Sequence, residues 1–209
     1  MLLANLSTIL VFIEQEEVEK AKPLYTNDVI PKNMSIKEKK KRFYYLLVPA
    51  INDVYNELQK QYKSVKYDIK HNKNQEKILK LKEKYNALTD TELLMALKPH
   101  NKSIAIAQAA MESAWGTSRF FIKANNIFGV WSTNSKQKRI AAQKKRGKTT
   151  IWVRKYDNLD EAIRHYFYVL SSAPRYKKFK ELNYKTDDVC IIITGLEQYS
   201  ERGYEYVKE

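Results

Sequence analysis

Ser103-Ile104-Ala105-Ile106-Ala107-Gln108-Ala109-Ala110-Met111-Glu112-Ser113-Ala114-Trp115-Gly116 reads as a helix that is apolar almost all round. A helix of that kind lies inside a protein rather than on its surface. Gln108 and Glu112 interrupt the apolar run four residues apart, on one face with Ala105 and Trp115, and Gly116 is a natural C-terminal cap. Apolar surroundings favour the neutral form of a carboxyl group, which is the form a general acid needs. Glu112 therefore suits proton donation. The plainer alternative, a Glu bonded to a helix terminus or paired with Arg119, weighs the same on periodicity alone.

Downstream, Phe120–Ala124 gives a further helical turn or two. Asn125-Asn126-Ile127-Phe128-Gly129-Val130-Trp131 then supplies two amides, two aromatics and a glycine. Aromatic faces pack on the apolar side of pyranose rings while amides bond hydroxyl and acetamido groups, although aromatics more often serve the core. From Lys136 to Tyr156 the chain is basic, and Lys144–Lys148 followed by Thr149–Val153 reads as a turn entering a strand of a small hairpin. Asp157-Asn158-Leu159-Asp160-Glu161 caps a long helix with Ala162, Ile163, Tyr166, Phe167, Val169 and Leu170 inward, stopped by Pro174. Thr186-Asp187-Asp188 starts another helix through Ile193, and Gly195–Tyr206 is a turn leading into a last one.

Upstream, Ser35 with Glu38 forms a capping box. Phe43, Leu46, Leu47, Ile51, Val54 and Leu58 follow at helical spacing to about Tyr62. Tyr62–Gln75 is polar without a firm period. Ile78, Leu79, Leu81 and Tyr85 mark a second helix ending near Asn86, Thr89–Glu92 caps a short third, and Lys98–Asn101 breaks it. Prolines 23 and 31 make Lys20–Asn33 an extended connector. Met1–Ile13 is apolar but lacks a basic flank and a cleavage site, and is too short to span a bilayer. A truncated signal, an uncleaved anchor and an ordinary helix stay open for it, and any membrane association would run through these thirteen residues. Three segments result: 1–34, a leading segment and connector; 35–98, a helical extension packed on the main domain; and 99–209, the main domain.

With 44% hydrophobic residues the chain is too apolar to be disordered. A formal charge of +14 attracts polyanions without choosing among them. Cys190 is the sole cysteine, so no internal disulfide forms, and it reads as a small core residue before Ile191–Ile193. His71, His100 and His165 are too far apart for a helical metal pair; no metal and no cofactor is expected.

Ala107–Phe120 followed by Ala124–Gly129 resembles the glucosaminidase domain of glycoside hydrolase family 73. Pro31–Ile51 and Tyr199-Ser200-Glu201-Arg202-Gly203 also resemble the bacterial Bax-type members, so the likeness covers roughly residues 30–209. The resemblance implies an α+β, predominantly α fold: a lysozyme-like helical domain with a small β-hairpin lobe and an N-terminal helical extension. It implies hydrolysis of the β-1,4 bond after N-acetylglucosamine in peptidoglycan, with Glu112 as general acid and Tyr199 at the family's C-terminal tyrosine. Gln108, Trp115, Asn125, Asn126, Phe128 and Trp131 would shape the sugar cleft.

One feature departs from the family pattern. No Asp or Glu lies between Glu112 and Asp157, whereas glycosidases generally use two carboxylates. The substrate's acetamido group could take the second role; Asp157, Asp160, Glu161 or Glu201 could reach in; or one carboxylate could act twice in a transglycosylase route. A non-catalytic wall-binding or scaffold module is the rival from another class. The expected partner is peptidoglycan or another N-acetylglucosamine-containing glycan, met by a monomer in the periplasm or cell envelope. Nucleic acid is not expected, because Lys144–Lys148 lies in no fold motif for it.

Overall fold

The structure, a computed structural model, describes residues 34–146 and 149–208, and of 143–146 the backbone alone. The apolar start, the connector and the tip of the hairpin lie outside the described residues. In chain order it contains α1 (Ile36–Lys70), α2 (Gln75–Tyr85), α3 (Asp90–Leu97), α4 (Lys102–Ser113), α5 (Arg119–Ala124), β1 (Arg139–Arg146), β2 (Thr149–Arg154), α6 (Leu159–Ser172), α7 (Lys177–Lys185), α8 (Val189–Ile192) and α9 (Tyr204–Lys208). Short 3-10 turns occupy Pro174–Tyr176 and Ile193–Leu196. The architecture is α+β and mainly α, as the sequence led us to expect. No helix among the described residues is long and apolar enough to cross a membrane.

The chain visits two compact units in turn. Residues 34–53 and 105–166 form one, called here the Glu112 unit; residues 54–104 and 167–208 form the other, the Tyr199 unit.

In the Glu112 unit, α1 begins at the expected capping box. The Ser35 N–H donates to Glu38 Oε2 (2.7 Å) and the Glu38 N–H to Ser35 Oγ (3.3 Å). Phe43, Leu47 and Ile51, one turn apart, are fully buried, as are Ala105 and Ala109 of α4 and Phe121 of α5. β1 and β2 pair antiparallel with Ile140 opposite Val153 and Ala141 opposite Trp152; a bulge between Ala141 and Lys145 shifts the register before Arg146 meets Thr149. Residues 130–132 flank the other edge of β2, through the Arg154 N–H to the Val130 carbonyl (3.0 Å) and the Ser132 N–H to the Trp152 carbonyl (2.9 Å).

In the Tyr199 unit, Val65, Ile78, Tyr85, Leu93 and Leu97 pack as one cluster. α1 runs on to Lys70 instead of ending near Tyr62. No Gly or Pro breaks it there, and Val65 and Asp68 bury their side chains, Asp68 accepting from Lys77 (3.0 Å) and Asn74 (2.9 Å). α2 ends at Asn86 in the left-handed region (φ 54°), and Thr89 caps α3 by accepting from the Glu92 N–H (3.1 Å). α7 was not anticipated. Its polar sequence shows few apolar positions, yet it buries Phe179 against Gly195, where a Cβ would overlap the Phe179 backbone. Cys190 corrects the core reading: it is exposed. Asp188 caps α8 through the Cys190 N–H (2.8 Å), and the four-residue helix turns Ile192 inward and leaves Cys190 and Ile191 outside.

Candidate active site

Glu112 stands in the last turn of α4 and is half-buried rather than enclosed. The run of alanines makes the helix look apolar on every face, but Ala107, Met111 and Glu112 share a partly exposed edge. The chain then leaves α4 through three consecutive left-handed residues, Ala114 (φ 49°), Trp115 (φ 59°) and Gly116 (φ 71°). A non-glycine residue pays roughly 1–2 kcal/mol for that conformation, so the surroundings must hold it.

They do so from two sides. Ser113 Oγ donates to the Ala109 carbonyl (2.6 Å) and accepts from the Gly116 N–H (2.8 Å), while the Trp115 N–H reaches the Ala110 carbonyl (2.9 Å). From α1, Arg42, with no exposed surface, donates through Nη1 to the Gly116 carbonyl (2.9 Å). Phe43 and Tyr44 meet the Trp115 ring edge-on at 5.4 and 6.0 Å, and Lys40 Nζ lies 4.6 Å from its centre. Sequence reasoning did not single out Arg42. The available signal was a lone arginine beginning an aromatic and aliphatic stripe.

The loop after α5 brings backbone to the acid. Gly129 is left-handed (φ 66°), and a Cβ there would meet Glu112 Oε2 at 3.6 Å. Asn126, 1% exposed, fixes this loop: its amide nitrogen donates to the Val130 (2.9 Å) and Arg154 (2.7 Å) carbonyls and its oxygen accepts from the Val130 N–H (2.9 Å). Asn125 ends α5 in the left-handed region and donates to the Tyr156 carbonyl (3.1 Å). Phe128 stacks on Tyr166 at 3.9 Å, and the Tyr166 hydroxyl donates to Gln108 Oε1 (2.5 Å). Gln108, Asn126 and Phe128 are therefore inner residues that brace the site. Trp115 and Asn125 are partly exposed, and Trp131, 56% exposed, offers an open aromatic face.

A part-buried polar chain that starts on β2 also escaped the sequence reading. Arg154 Nη1 lies 3.0 Å from His165 Nε2, and His165 Nδ1 lies 2.7 Å from the Tyr156 hydroxyl. A guanidinium only donates, so Nε2 accepts and the imidazole proton sits on Nδ1, directed at the Tyr156 oxygen. Burial, aided by the Arg154 charge, holds His165 down to about 4, and burial pushes the Tyr156 phenol up.

The carboxylates that follow the lobe are engaged locally. Asp157 pairs with Lys138 (2.6 Å). Glu161 accepts from the Asp157 N–H (2.9 Å) and faces Arg154 at 3.7 Å, while Asn158 accepts from the Glu161 N–H (2.9 Å). They close the N-terminus of α6.

The family model described as "Glucosaminidase: Mannosyl-glycoprotein endo-beta-N-acetylglucosaminidase" matches residues 90–202, more than half of the chain. The chain belongs to the glucosaminidase family. It is a glycosidase, and Glu112, Gly129 and the hairpin all fall within the matched residues, whereas Arg42 falls outside them. A C-terminally truncated glycoside hydrolase domain of FlgJ from Salmonella typhimurium is similar at 21% identity and a TM-score of 0.40, over 61% of this chain and 90% of that one. No curated protein matches the chain. In this glucosaminidase Tyr199 belongs to the Tyr199 unit, where its ring stacks on Tyr206 at 5.3 Å and tilts against Tyr176 at 6.2 Å. Glu201, two residues on, is exposed. Among the described residues no group of three or more His, Cys, Asp or Glu side chains is placed to hold a metal ion.

Proposed function

We propose that the chain is a peptidoglycan hydrolase that cuts the β-1,4 bond after N-acetylglucosamine, with Glu112 as its general acid. The observation that carries this reading is the setting of Glu112: half-open, against the Gly129 backbone, at the mouth of a strained turn, in a lobe with no other carboxylate before Asp157. Glu112 protonates the departing glycosidic oxygen as the C1–O bond breaks. The carbonyl oxygen of the substrate's own acetamido group attacks C1 to close an oxazolinium ring, and water then opens that ring at C1 while the Glu112 carboxylate accepts a proton from the water. The occupied states of Asp157 and Glu161 favour this substrate-assisted route over a second protein carboxylate. Tyr199 orients the acetamido group, and Trp131 with Trp115 supplies ring-stacking faces, while Gln108, Asn125, Asn126 and Phe128 hold the walls. Such a substrate places the action of the protein outside the cytoplasm.

The test is mass spectrometry of the products of purified peptidoglycan treated with the wild type and with Glu112→Gln. Reducing-end N-acetylglucosamine released by the wild type alone is the expected result. Anhydro-muramic ends would move the reaction to the transglycosylase route, and turnover by Glu112→Gln equal to wild type would remove Glu112 from the chemistry.

A further inference from the structure

The net charge of the chain is segregated. Eleven of its 38 Lys and Arg residues, and none of its 24 Asp and Glu residues, fall between Ser113 and Tyr156. That stretch thus carries +11 of the total +14, leaving +3 on the rest of the chain. Seven of these eleven cations have described side chains, and all seven lie in the Glu112 unit, on or beside α5, β1 and β2. Three of the stretch's four arginines have described structural partners: Arg119 reaches the Ala141 carbonyl, Arg139 covers the Trp152 ring at 4.2 Å, and Arg154 holds His165. Lys123, Lys136 and Lys155 are exposed and make no ion pair among the described residues.

Like charges crowded on one small lobe repel one another, a cost that a partner of opposite sign relieves. The basic stretch and the acid share one unit: a Cβ on Gly129 would lie 3.6 Å from Glu112 Oε2, and Asn126 ties the Gly129 loop to β2. An anchoring partner would need no such proximity. The exposed Trp131 ring, bridged to Val153 of β2, adds a sugar-stacking face in the same lobe.

We infer that this acid-free lobe selects glycan strands that carry carboxylates, reading their negative charge through Lys123, Lys136 and Lys155 while the acid reads the glycosidic bond. The inference rests on the glycosidase reading of Glu112. It makes recognition dependent on ionic strength, because exposed charges are screened beyond about 10 Å at 0.1 M salt.

The probe is soluble peptidoglycan strands and the same strands with their carboxylates capped by carbodiimide coupling to ethanolamine. For the wild type at 50 mM NaCl we expect a kcat/KM about tenfold higher on the charged strands, a preference that fades at 300 mM. Lys123→Gln/Lys136→Gln/Lys155→Gln should lower the charged-to-capped ratio several-fold. Lys63→Gln/Lys80→Gln/Lys84→Gln, the same charge change placed in the Tyr199 unit, should keep the wild-type ratio. Equal loss of the ratio in both triple variants, or a wild type that cuts both strands alike, overturns the inference while leaving the glycosidase reading intact. Failure of the wild type to cut either strand overturns both.

Discussion

The two units handle the left-handed backbone and charge in opposite ways. In the Tyr199 unit the non-glycine residues with positive φ are Asn72, Asn74 and Asn86, a residue type that adopts that conformation at low cost. Its lysines meet acids in Lys77–Asp68, Lys82–Asp90, Lys98–Asp187 and Lys178–Glu197. In the Glu112 unit the left-handed residues include Ala114 and Trp115, and the stretch that follows Glu112 is basic without an acid until Asp157. Local rules are obeyed in one unit and broken in the other, beside the proposed acid. Violations of local preference persist where the surroundings enforce them, and functional sites are where they collect.

The largest expected effect separates the two proposed reacting groups. Glu112→Gln should lower kcat by about 10³-fold, the range for loss of a general acid, and Tyr199→Phe by about tenfold, since it removes one orienting hydroxyl. Steady-state turnover on soluble peptidoglycan strands measures both. Equal losses would make Tyr199 as central as Glu112 and would undo the division of labour between the units.

Gly129→Ala comes next and has an internal control. Gly129 and Gly203 are both left-handed (φ 66° and 56°), but a Cβ at 129 meets Glu112 Oε2 at 3.6 Å whereas one at 203 meets nothing within 4 Å. Each alanine should cost about 1 kcal/mol in urea unfolding from strain. Gly129→Ala alone should also cut kcat/KM by an order of magnitude, since small displacements of a catalytic group are costly. An equal kinetic loss in Gly203→Ala would show that strain, not contact with the acid, is responsible.

Much of this contrast was legible in the sequence. The α4 helix that carries Glu112, the caps at Ser35, Thr89 and Asp157–Glu161, and the hairpin follow from periodicity and capping chemistry, but the run of alanines concealed the partly exposed edge on which Glu112 stands. The destinations of the amides were not legible: Asn126 and Gln108 carry the right groups for sugars, but a sequence cannot say that Val130, Arg154 and Tyr166 already satisfy them. α7 was hidden because it buries few apolar residues, and Cys190 was misplaced because an apolar run does not say which side of a four-residue helix faces out.

Arg42 tests whether the strained turn is held from outside the family match. Removing the guanidinium leaves the Gly116 carbonyl without its buried donor, which costs about 2–3 kcal/mol with the lost packing. Arg42→Met should show that loss in urea unfolding. It should also lower kcat several-fold at a temperature where the protein stays folded, with KM unchanged, as the turn that follows Glu112 relaxes. Arg42→Lys should recover part of both. A stability loss with wild-type kcat would reduce α1 to a support.

The smallest effect concerns a feature the units share, a histidine held neutral by its surroundings, buried at His100 and half-buried at His165. In the Tyr199 unit His100 stacks on Phe167 at 4.5 Å, and burial holds it down to about 4; in the Glu112 unit His165 is held down to about 4 by burial and Arg154. The unfolded chain takes up these protons near 6.5, so between 6.5 and 4 it binds more protons than the folded protein does. The stability from keeping each ring neutral is therefore complete above pH 6.5 and is lost as pH falls toward 4. For His100 the loss by pH 5 is about 2 kcal/mol relative to pH 8. Urea unfolding at pH 8 and pH 5 should give that slope in the wild type, and His100→Gln should flatten it more than His165→Gln, because the better-buried ring is the harder to charge. A larger flattening from His165→Gln would mean that the polar chain that starts on β2, with its fixed Arg154 charge, governs the acid sensitivity of the fold, and would make the Glu112 unit the first to open as the pH drops.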